Sequence, residues 1–312
     1  MTILPLFKYP VTIVWIDDDL LFLKTIKRTL GKYCSIKTFN DPEEGIQFIK
    51  SYSPFLSKIK FLRACTEHES YDTLSHMPVD LNIKKLSELF LNTDRYDEIS
   101  ILVVDYKMPG MDGIEVCRFL KNFQMKKILL TGEADHPKAV NAFNEGIIDR
   151  YIRKDTQNLS DQIKEHINSL NQQYFYENTR LLLSHLEVEQ RLPVSDPVFI
   201  SFFNKLCEER KIKEYYLIDK YGSFCIVDED KNIFYLIIHT EKTLNTFVEV
   251  YRDAKWAQDL LEKTKRHELV PFFGINREAW EVNENEWDSC FYKPYVLDGE
   301  NQRYFIIQQE KN

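Results

Sequence analysis

The 312-residue sequence has no long apolar run, no paired-cysteine motif and no signal-peptide pattern. No stretch approaches the roughly 20 apolar residues that a membrane-spanning helix needs. The N-terminal segment contains Pro5, Lys8 and Pro10 where a secretory signal would carry a continuous apolar core. The six cysteines show neither CxxC nor zinc-finger spacing. We therefore expect a cytoplasmic protein with free thiols and no membrane partner.

Acidic residues outnumber basic ones, which argues against a protein that binds nucleic acid through a strongly basic face. The formal net charge is −8, and the part of the chain after residue 190 is acidic. A dominant phosphate-binding face is therefore not indicated. The sequence contains no helix-turn-helix pattern, no P-loop and no signature of cyclic-dinucleotide synthesis or degradation. Its length and ordinary composition fit two globular domains.

Short apolar runs in the first half of the chain alternate with segments of helical periodicity. This alternation predicts parallel βαβ units, and the continuity of the runs indicates strands that are buried on both faces. Open α/β sheets carry their chemistry at the carboxyl ends of their strands. The residues at these ends are Asp17 and Asp18 for the first strand, Asp105 for the third, Thr131 for the fourth and Lys154 for the fifth.

This ordered set of residues resembles the phosphoacceptor site in the receiver domain of two-component response regulators. The resemblance covers about residues 10–170, with an insertion at about residues 51–98. It implies a flavodoxin-like, doubly wound α/β fold with a five-stranded parallel sheet. It also implies that a sensor histidine kinase or a phosphotransfer protein donates a phosphoryl group to Asp105 in a Mg²⁺-dependent reaction.

The residue types at the strand ends suit this chemistry. The carboxylate of Asp105 can act as a nucleophile and form an acyl phosphate, and Mg²⁺ prefers carboxylate, carbonyl and water oxygens. The resemblance implies that Asp17, Asp18 and Asp105 hold the ion together with the main-chain carbonyl of Lys107. In this set Asp18 is expected to bind more directly and Asp17 partly through water. Because converging carboxylates resist burial without a counter-charge, their convergence favours a metal site over a packing role.

Lys154 and Thr131 are the remaining catalytic candidates. Lysine brings a point positive charge to the phosphoryl oxygens. The resemblance implies that the Thr131 hydroxyl moves toward the phosphate while the aromatic ring of Tyr151 turns inward, so that both act as a switch. Two positions depart from the family pattern: Asp155 follows Lys154 where proline is usual, and Gly132 follows Thr131. The first departure predicts either a different loop after the fifth strand or a costly non-proline cis bond.

We predict three parts along the chain. They are a receiver domain at residues 1–156 with the insertion at 51–98, a long linking or dimerisation helix at 157–190, and an α+β output domain at 191–312. In the output domain, three short aromatic and β-branched runs separated by turn residues predict an antiparallel meander. The insertion is interpreted as a solvent-side elaboration, or alternatively as a partner-binding or dimerisation element. Its second half, residues 80–99, has the apolar content of a helix.

The predicted long helix carries apolar residues at alternating steps of four and three, which form a partial heptad seam. Ile163, Ile167 and Leu170 are expected to pack on the sheet, because an amphipathic helix buries such a face. Beyond them, Tyr174 and Leu181 leave two alternatives open: a parallel dimer helix, or a linker helix that docks on the second domain. We expect phosphorylation to favour a homodimer.

Three kinds of output fit the second domain: a protein-interaction or dimerisation module, a nucleic-acid-binding transcriptional regulator, or an enzyme. The acidic balance and the aromatic-rich segments favour the first. An enzymatic output would be nuclease-like, with a metal held by Asp219, Asp228 and Asp230 beside Lys231. Aspartates also suit turns between strands, and that interpretation is preferred. The leading hypothesis is a response regulator that switches a non-standard output, and enzymatic activity beyond its own phosphorylation and dephosphorylation is left open.

Overall fold

A computed structural model describes residues 3–52, 62–64, 79–81, 88–132, 136–183, 193–275 and 277–310. Within these ranges the chain forms 15 β-strands and eight α-helices, with short 3-10 helices between them. The strands are β1 (Phe7–Lys8), β2 (Thr12–Ile16), β3 (Ser35–Phe39), β4 (Leu62–Ala64), β5 (Val79–Leu81), β6 (Ile99–Asp105), β7 (Lys126–Thr131), β8 (Arg150–Arg153), β9 (Glu214–Leu217), β10 (Phe224–Val227), β11 (Ile233–Thr240), β12 (Val270–Pro271), β13 (Phe291–Tyr292), β14 (Tyr295–Asp298) and β15 (Arg303–Glu310). The helices are α1 (Leu20–Leu30), α2 (Pro42–Ser51), α3 (Gly113–Phe119), α4 (His136–Asn144), α5 (Leu159–Leu183), α6 (Pro197–Glu209), α7 (Glu241–Val250) and α8 (Gln258–Lys265).

The chain divides into two compact units. Residues 9–60 and 91–182 form the parallel-sheet unit, and residues 1–8, 61–90 and 183–312 form the antiparallel-sheet unit. This division differs from the boundaries expected from the sequence, because the N-terminal segment and the middle of the insertion group with the C-terminal part of the chain. Backbone pairing explains the N-terminal assignment, since β1 pairs antiparallel with β9.

The parallel-sheet unit contains the predicted five-stranded sheet. Its strand order is β3-β2-β6-β7-β8, and every neighbouring pair is parallel. All residues of β2, β6 and β7 are buried, as expected for strands covered on both faces. This order confirms the flavodoxin-like fold. Because β2 and β6 are neighbours, the residues that follow or end them meet at one edge of the sheet.

Local capping fixes the loops at that edge. Asp19 is the N-cap of α1, where its carboxylate accepts hydrogen bonds from the backbone N–H groups of Leu21 and Phe22. A capping box between Asp112 and Glu115 starts α3. Gly113 lies so close to the main-chain oxygen of Asp105 that a side chain at this position would collide with it. The loop after β6 therefore returns tightly against the strand end.

The long helix α5 packs along the parallel-sheet unit for most of its length. Ile163, Ile167 and Leu170 are buried in the core beneath the sheet, which confirms their expected role. The next turns stay on the same unit, where the Tyr174 hydroxyl donates to Glu98 Oε1 at 2.5 Å. Tyr174 is buried, so the predicted seam does not continue through it as a free face. The side chain of Leu181 lies outside the described residues.

Polar contacts hold this second half of α5 at the amino-terminal edge of the sheet. Lys126, the first residue of β7, donates from Nζ to both carboxylate oxygens of Glu177 at 2.7 and 2.8 Å. Ser100 in β6 donates to the side-chain oxygen of Asn171 at 2.7 Å. The surface that holds this part of α5 belongs to the helix's own unit, and the two alternatives expected from the sequence stay predictions.

The antiparallel-sheet unit contains a six-stranded sheet in the order β1-β9-β10-β11-β15-β14. Every neighbouring pair is antiparallel. The predicted meander is confirmed as β9, β10 and β11. Phe203 of α6 packs its ring against those of Tyr215 and Phe224, at centroid distances of 5.0 and 4.8 Å. These contacts place α6 against β9 and β10.

The insertion differs from its predicted structure. Of the described residues in the range 80–99, Glu88 is α-helical as expected, whereas Asp80 and Leu81 belong to β5, Leu89–Leu91 and Thr93–Asp97 form 3-10 helices, and Ile99 begins β6. Residues 82–87 lie outside the described residues. The ring of Phe90 lies 6.0 Å from that of Tyr216 in β9, in an edge-on arrangement. Phe90 therefore packs on the antiparallel sheet, whereas the residues from 91 onward group with the parallel-sheet unit.

Two expectations from composition can be compared with the structure. Cys34, Cys117, Cys207, Cys225 and Cys290 are all free thiols, as expected, while Cys65 is not among the described residues. The described helices include none that combines the length and the apolar character needed to cross a membrane.

We predict that Tyr174→Phe lowers the free energy of unfolding by about 1–3 kcal/mol, because it removes a donor from the buried carboxylate of Glu98. Urea unfolding of the full chain, followed by circular dichroism, measures this change. Tyr176→Phe is the matched control two residues along the same helix. Equal midpoints for both variants and the wild type would show that the bond does not fasten α5.

Candidate functional site

Three carboxylates meet at the carboxyl edge of the parallel sheet. Asp17 and Asp18 directly follow β2, and Asp105 ends the neighbouring strand β6. One carboxylate oxygen from each lies within 4.8 Å of the others. Asp17 and Asp105 are buried and Asp18 is exposed. Within the described ranges, these three form the one group of acidic, histidine or cysteine side chains close enough to hold a metal ion.

Lys154 supplies the counter-charge for this cluster. It follows β8, and its backbone N–H donates to the carbonyl oxygen of Thr131 at 3.0 Å. Its ammonium group lies 2.8 Å from Asp17 Oδ2 and 2.9 Å from Asp105 Oδ1. The ring of Phe22 in α1 lies beneath it, 4.9 Å from Nζ to the ring centroid. Contacts with β7 and α1 therefore hold the lysine over the two carboxylates.

The pKa shifts at the site reflect a competition between burial and charge pairing. Burial raises the pKa of Asp17 and of Asp105, and the bonds from Lys154 oppose that rise. Burial alone would lower the pKa of Lys154, but its bonds to the two carboxylates outweigh burial and raise it. Lys154 therefore stays protonated, and one positive charge faces three carboxyl groups.

Thr131 ends β7 and is fully buried. Its hydroxyl has no hydrogen-bond partner within the described part of the chain. A buried hydroxyl without a partner costs about 1–3 kcal/mol, so this position is one at which an oxygen of an incoming group would be stabilised. Tyr151 in β8 is partly buried, with its ring 6.3 Å from that of Phe143 in α4.

The remaining predicted positions lie in the loops around the cluster. Lys107 is two residues after Asp105, in the loop before α3, and its side chain is exposed. Asp155 accepts hydrogen bonds from Arg153 Nε and Nη2 at 3.0 and 2.6 Å on the exposed surface. No peptide bond in the described residues is cis. The loop after Lys154 is thus bounded by an arginine–carboxylate pair where the family carries proline.

Two contacts at this edge were not anticipated from the sequence. One is the ring of Phe22 against Lys154. The other joins Lys138 of α4 to Tyr106, the residue after Asp105, through a hydrogen bond of 2.8 Å from Nζ to the phenol oxygen. The available signal for Phe22 was an aromatic residue in the first turn of the helix that follows the acidic pair. Tyr106 and Lys138 are distant in sequence, and no local pattern joins them.

The aspartates considered for a nuclease-like site do not assemble into one. Asp219 accepts hydrogen bonds from the backbone N–H groups of Tyr221 and Ser223. Asp228 accepts the equivalent bonds within its own turn, which also contains Asp230. Both aspartates therefore stabilise separate turns, as the preferred interpretation expected.

Comparison with known proteins agrees with the geometry of the site. The family model of the response regulator receiver domain matches residues 73–168. This range contains Asp105, Thr131 and Lys154 but not the acidic pair, which the structure adds from the other side of the insertion.

Two curated relatives match over part of their length. The chain is 34% identical to the cyclic di-GMP phosphodiesterase response regulator RpfG of Xanthomonas campestris over 105 residues, which covers 30% of the chain and 28% of RpfG. It is 33% identical to the response regulator protein TodT of Pseudomonas putida over 69 residues, which covers 22% of the chain and 30% of TodT. The chain thus spans less than a third of each of these relatives.

One solved structure resembles nearly the whole chain. The response regulator LqsR of Legionella pneumophila is 31% identical, with a TM-score of 0.76, and the match covers 99% of this chain and 89% of that one. This similarity includes both the parallel and the antiparallel sheets, whereas the family model describes only the receiver domain. On the match to LqsR and the receiver-domain match together, the chain belongs to the response regulators of two-component signalling.

Proposed function

We propose that the protein accepts a phosphoryl group on Asp105 from a sensor histidine kinase or a phosphotransfer protein. The observation that carries this proposal is the position of the Lys154 ammonium, 2.8 and 2.9 Å from the buried carboxylates of Asp17 and Asp105. A carboxylate at a strand end, with a cation fixed beside it, is an arrangement that suits phosphoryl transfer.

The donor set at the site fits Mg²⁺. Three carboxylates with oxygens within 4.8 Å of one another match the preference of this hard cation for oxygen ligands. Asp17, Asp18, Asp105 and the main-chain carbonyl of Lys107 would hold the ion. When bound, it would neutralise charge on the phosphoryl oxygens.

The chain's own residues carry the transfer. A carboxylate oxygen of Asp105 attacks the phosphorus, a new P–O bond forms, and the bond from phosphorus to the donor breaks with its electron pair leaving on the donor. Lys154 is already paired with the Asp105 carboxylate, and its ammonium group shifts to contact a phosphoryl oxygen as the acyl phosphate forms. Thr131 donates its unpartnered hydroxyl to another phosphoryl oxygen.

The switch follows from these same groups. Movement of the Thr131 side chain toward the phosphate opens space along β7 and β8, and the ring of Tyr151 turns into it. Phosphorylation thereby biases a two-state surface made by α4 and β8 and does not create a new fold. The response is a change in homodimerisation or in the binding of a partner protein by the output domain. The acidic composition of the C-terminal part favours a protein partner.

We predict that Asp105→Asn abolishes phosphorylation, because an amide cannot form the acyl phosphate. Incubation with radiolabelled acetyl phosphate and Mg²⁺ measures labelling of the chain. Asp19→Asn is the matched control: it removes a neighbouring negative charge, and asparagine caps α1 as well as aspartate does. Equal labelling of Asp105→Asn and the wild type would refute the assignment.

We predict opposite effects of Thr131→Val in the two states of the protein. Without phosphate, the variant should unfold at an equal or higher urea concentration, because it removes a buried hydroxyl that has no partner. With beryllofluoride and Mg²⁺, which mimic the phosphoryl group on the aspartate, its added stability should be smaller than that of the wild type.

The control for this experiment is Thr12→Val, since the buried Thr12 hydroxyl is bonded to Ser35 and to the Tyr96 carbonyl. This variant should lose about 1–2 kcal/mol of stability in both states. If Thr131→Val behaves like Thr12→Val, the Thr131 hydroxyl has a structural role and not a switching one.

We predict that Lys154→Ala still accepts phosphate but loses the response to it, because the charge that couples the phosphoryl group to β8 is gone. Light scattering of the full chain with and without beryllofluoride and Mg²⁺ reports the change in solution mass. The wild type should shift and the variant should not. A shift of equal size in Lys154→Ala would separate the response from this lysine.

A further inference from the structure

A cavity of about 410 Å³ lies in the antiparallel-sheet unit, and its lining includes no residue of the acidic cluster. It is bounded by the end of β11, by α7, by the turn after β9 and by the segment that follows β12. Its volume falls within the range of about 300–1,000 Å³ that is usual for small-molecule sites. The phosphorylation chemistry uses none of its lining residues.

The lining of the cavity includes six aromatic side chains. The ring of Phe247 in α7 lies 4.9 Å from that of Tyr251 and 6.0 Å from that of Phe273. Two further lining residues, Val250 and Trp280, are 68% and 73% exposed. Large apolar side chains that remain open to solvent around an aromatic cavity are a feature of ligand sites.

The charged groups of the lining have a negative balance. Asp219 and Glu278 are acidic, and Arg277 is the basic member but lies 3.3 Å from a carboxylate oxygen of Glu286. Burial lowers the pKa of His239, whose Nε2 lies 2.9 Å from the Pro271 carbonyl oxygen. That ring is therefore neutral and adds no positive charge.

Asp219 has one oxygen available to a ligand. Its Oδ1 accepts from the backbone N–H groups of Tyr221 at 2.8 Å and Ser223 at 3.0 Å. Asp228 accepts the same pair of backbone bonds in its own turn, and its Oδ2 is also bonded, to Asn232 Nδ2 at 2.9 Å. The residue at the equivalent position after Asp219 is Ser223, which lacks the side-chain amide of Asn232. No described residue donates a hydrogen bond to Asp219 Oδ2. Asp219 is thus a half-buried residue at the border of the cavity, and its Oδ2 is available to accept a hydrogen bond from a ligand.

We propose that this cavity binds a small aromatic molecule that carries a positively charged amino group, with the ring against Phe247 and Phe273 and the amino group at Asp219. Aromatic faces attract cations as well as rings, and a charge-assisted hydrogen bond to a carboxylate orients the amine. A neutral aromatic compound would gain the contact with the rings but not the charge-assisted hydrogen bond to Asp219. An anionic one would face two carboxylates with no free cation to offset them. The inference does not depend on phosphorylation of Asp105.

Three probes with one ring system and different charges test this proposal: tryptamine, indole and indole-3-acetate. Calorimetric titration of the full chain should show the tightest binding for tryptamine and the weakest for indole-3-acetate. Asp219→Asn keeps the Oδ1 acceptor for the turn but removes the charge. It should weaken tryptamine about tenfold, the loss expected for one charge-assisted bond, and leave indole unchanged.

Two further variants serve as controls. Asp228→Asn makes the same change in a turn that does not line the cavity, and it should bind all three probes like the wild type. Thr246→Phe adds a ring at a lining position where the threonine hydroxyl bonds only to its own helix, and it should weaken every probe. Absence of binding by all three probes, or equal affinities for tryptamine and indole-3-acetate, would overturn the proposal. So would an Asp219→Asn variant that retains full affinity for tryptamine.

Discussion

The contact of one ammonium group with two buried carboxylates is the constraint on which the acidic site depends. Burial at adjacent strand ends raises the pKa of Asp17 and of Asp105, so both would tend to hold protons if no cation were near. Lys154 opposes that tendency from 2.8 and 2.9 Å. With Asp18 beside them, the ionised groups leave a net negative charge that a divalent cation can offset.

The sheet order makes this contact possible in spite of a long interruption. The strands β2 and β6 are neighbours, although the insertion separates them in sequence and its middle part groups with the other unit. Each of the two strands is buried along its full length, so their pairing gains apolar burial that opposes the entropy cost of closing the long loop. At the opposite edge of the sheet, Glu98 and Lys126 hold α5 through side-chain bonds. The site edge is left free of this helix docking.

The sequence predicted features that neighbouring residues encode, and it did not predict contacts between residues far apart in the chain. Strands such as β6 and the acidic pair at its neighbour were predictable, because a continuous apolar run and the residue after it lie side by side in the chain. The two-residue strand β1 was not, since β9, the strand that pairs with it, lies far along the sequence. For the same reason Phe22 against Lys154 and Tyr174 against Glu98 escaped prediction. These contacts are selected by tertiary packing and not by periodicity.

The central claim is that Asp105 receives the phosphoryl group, and locating the modified residue chemically tests it most directly. The full chain is incubated with acetyl phosphate and Mg²⁺, reduced with borohydride, digested and analysed by mass spectrometry. Borohydride converts an aspartyl phosphate to homoserine and so marks the acceptor permanently. The account predicts homoserine at position 105 and at no other aspartate. Homoserine at Asp17, Asp18 or elsewhere, or its absence after demonstrated labelling, would contradict the account.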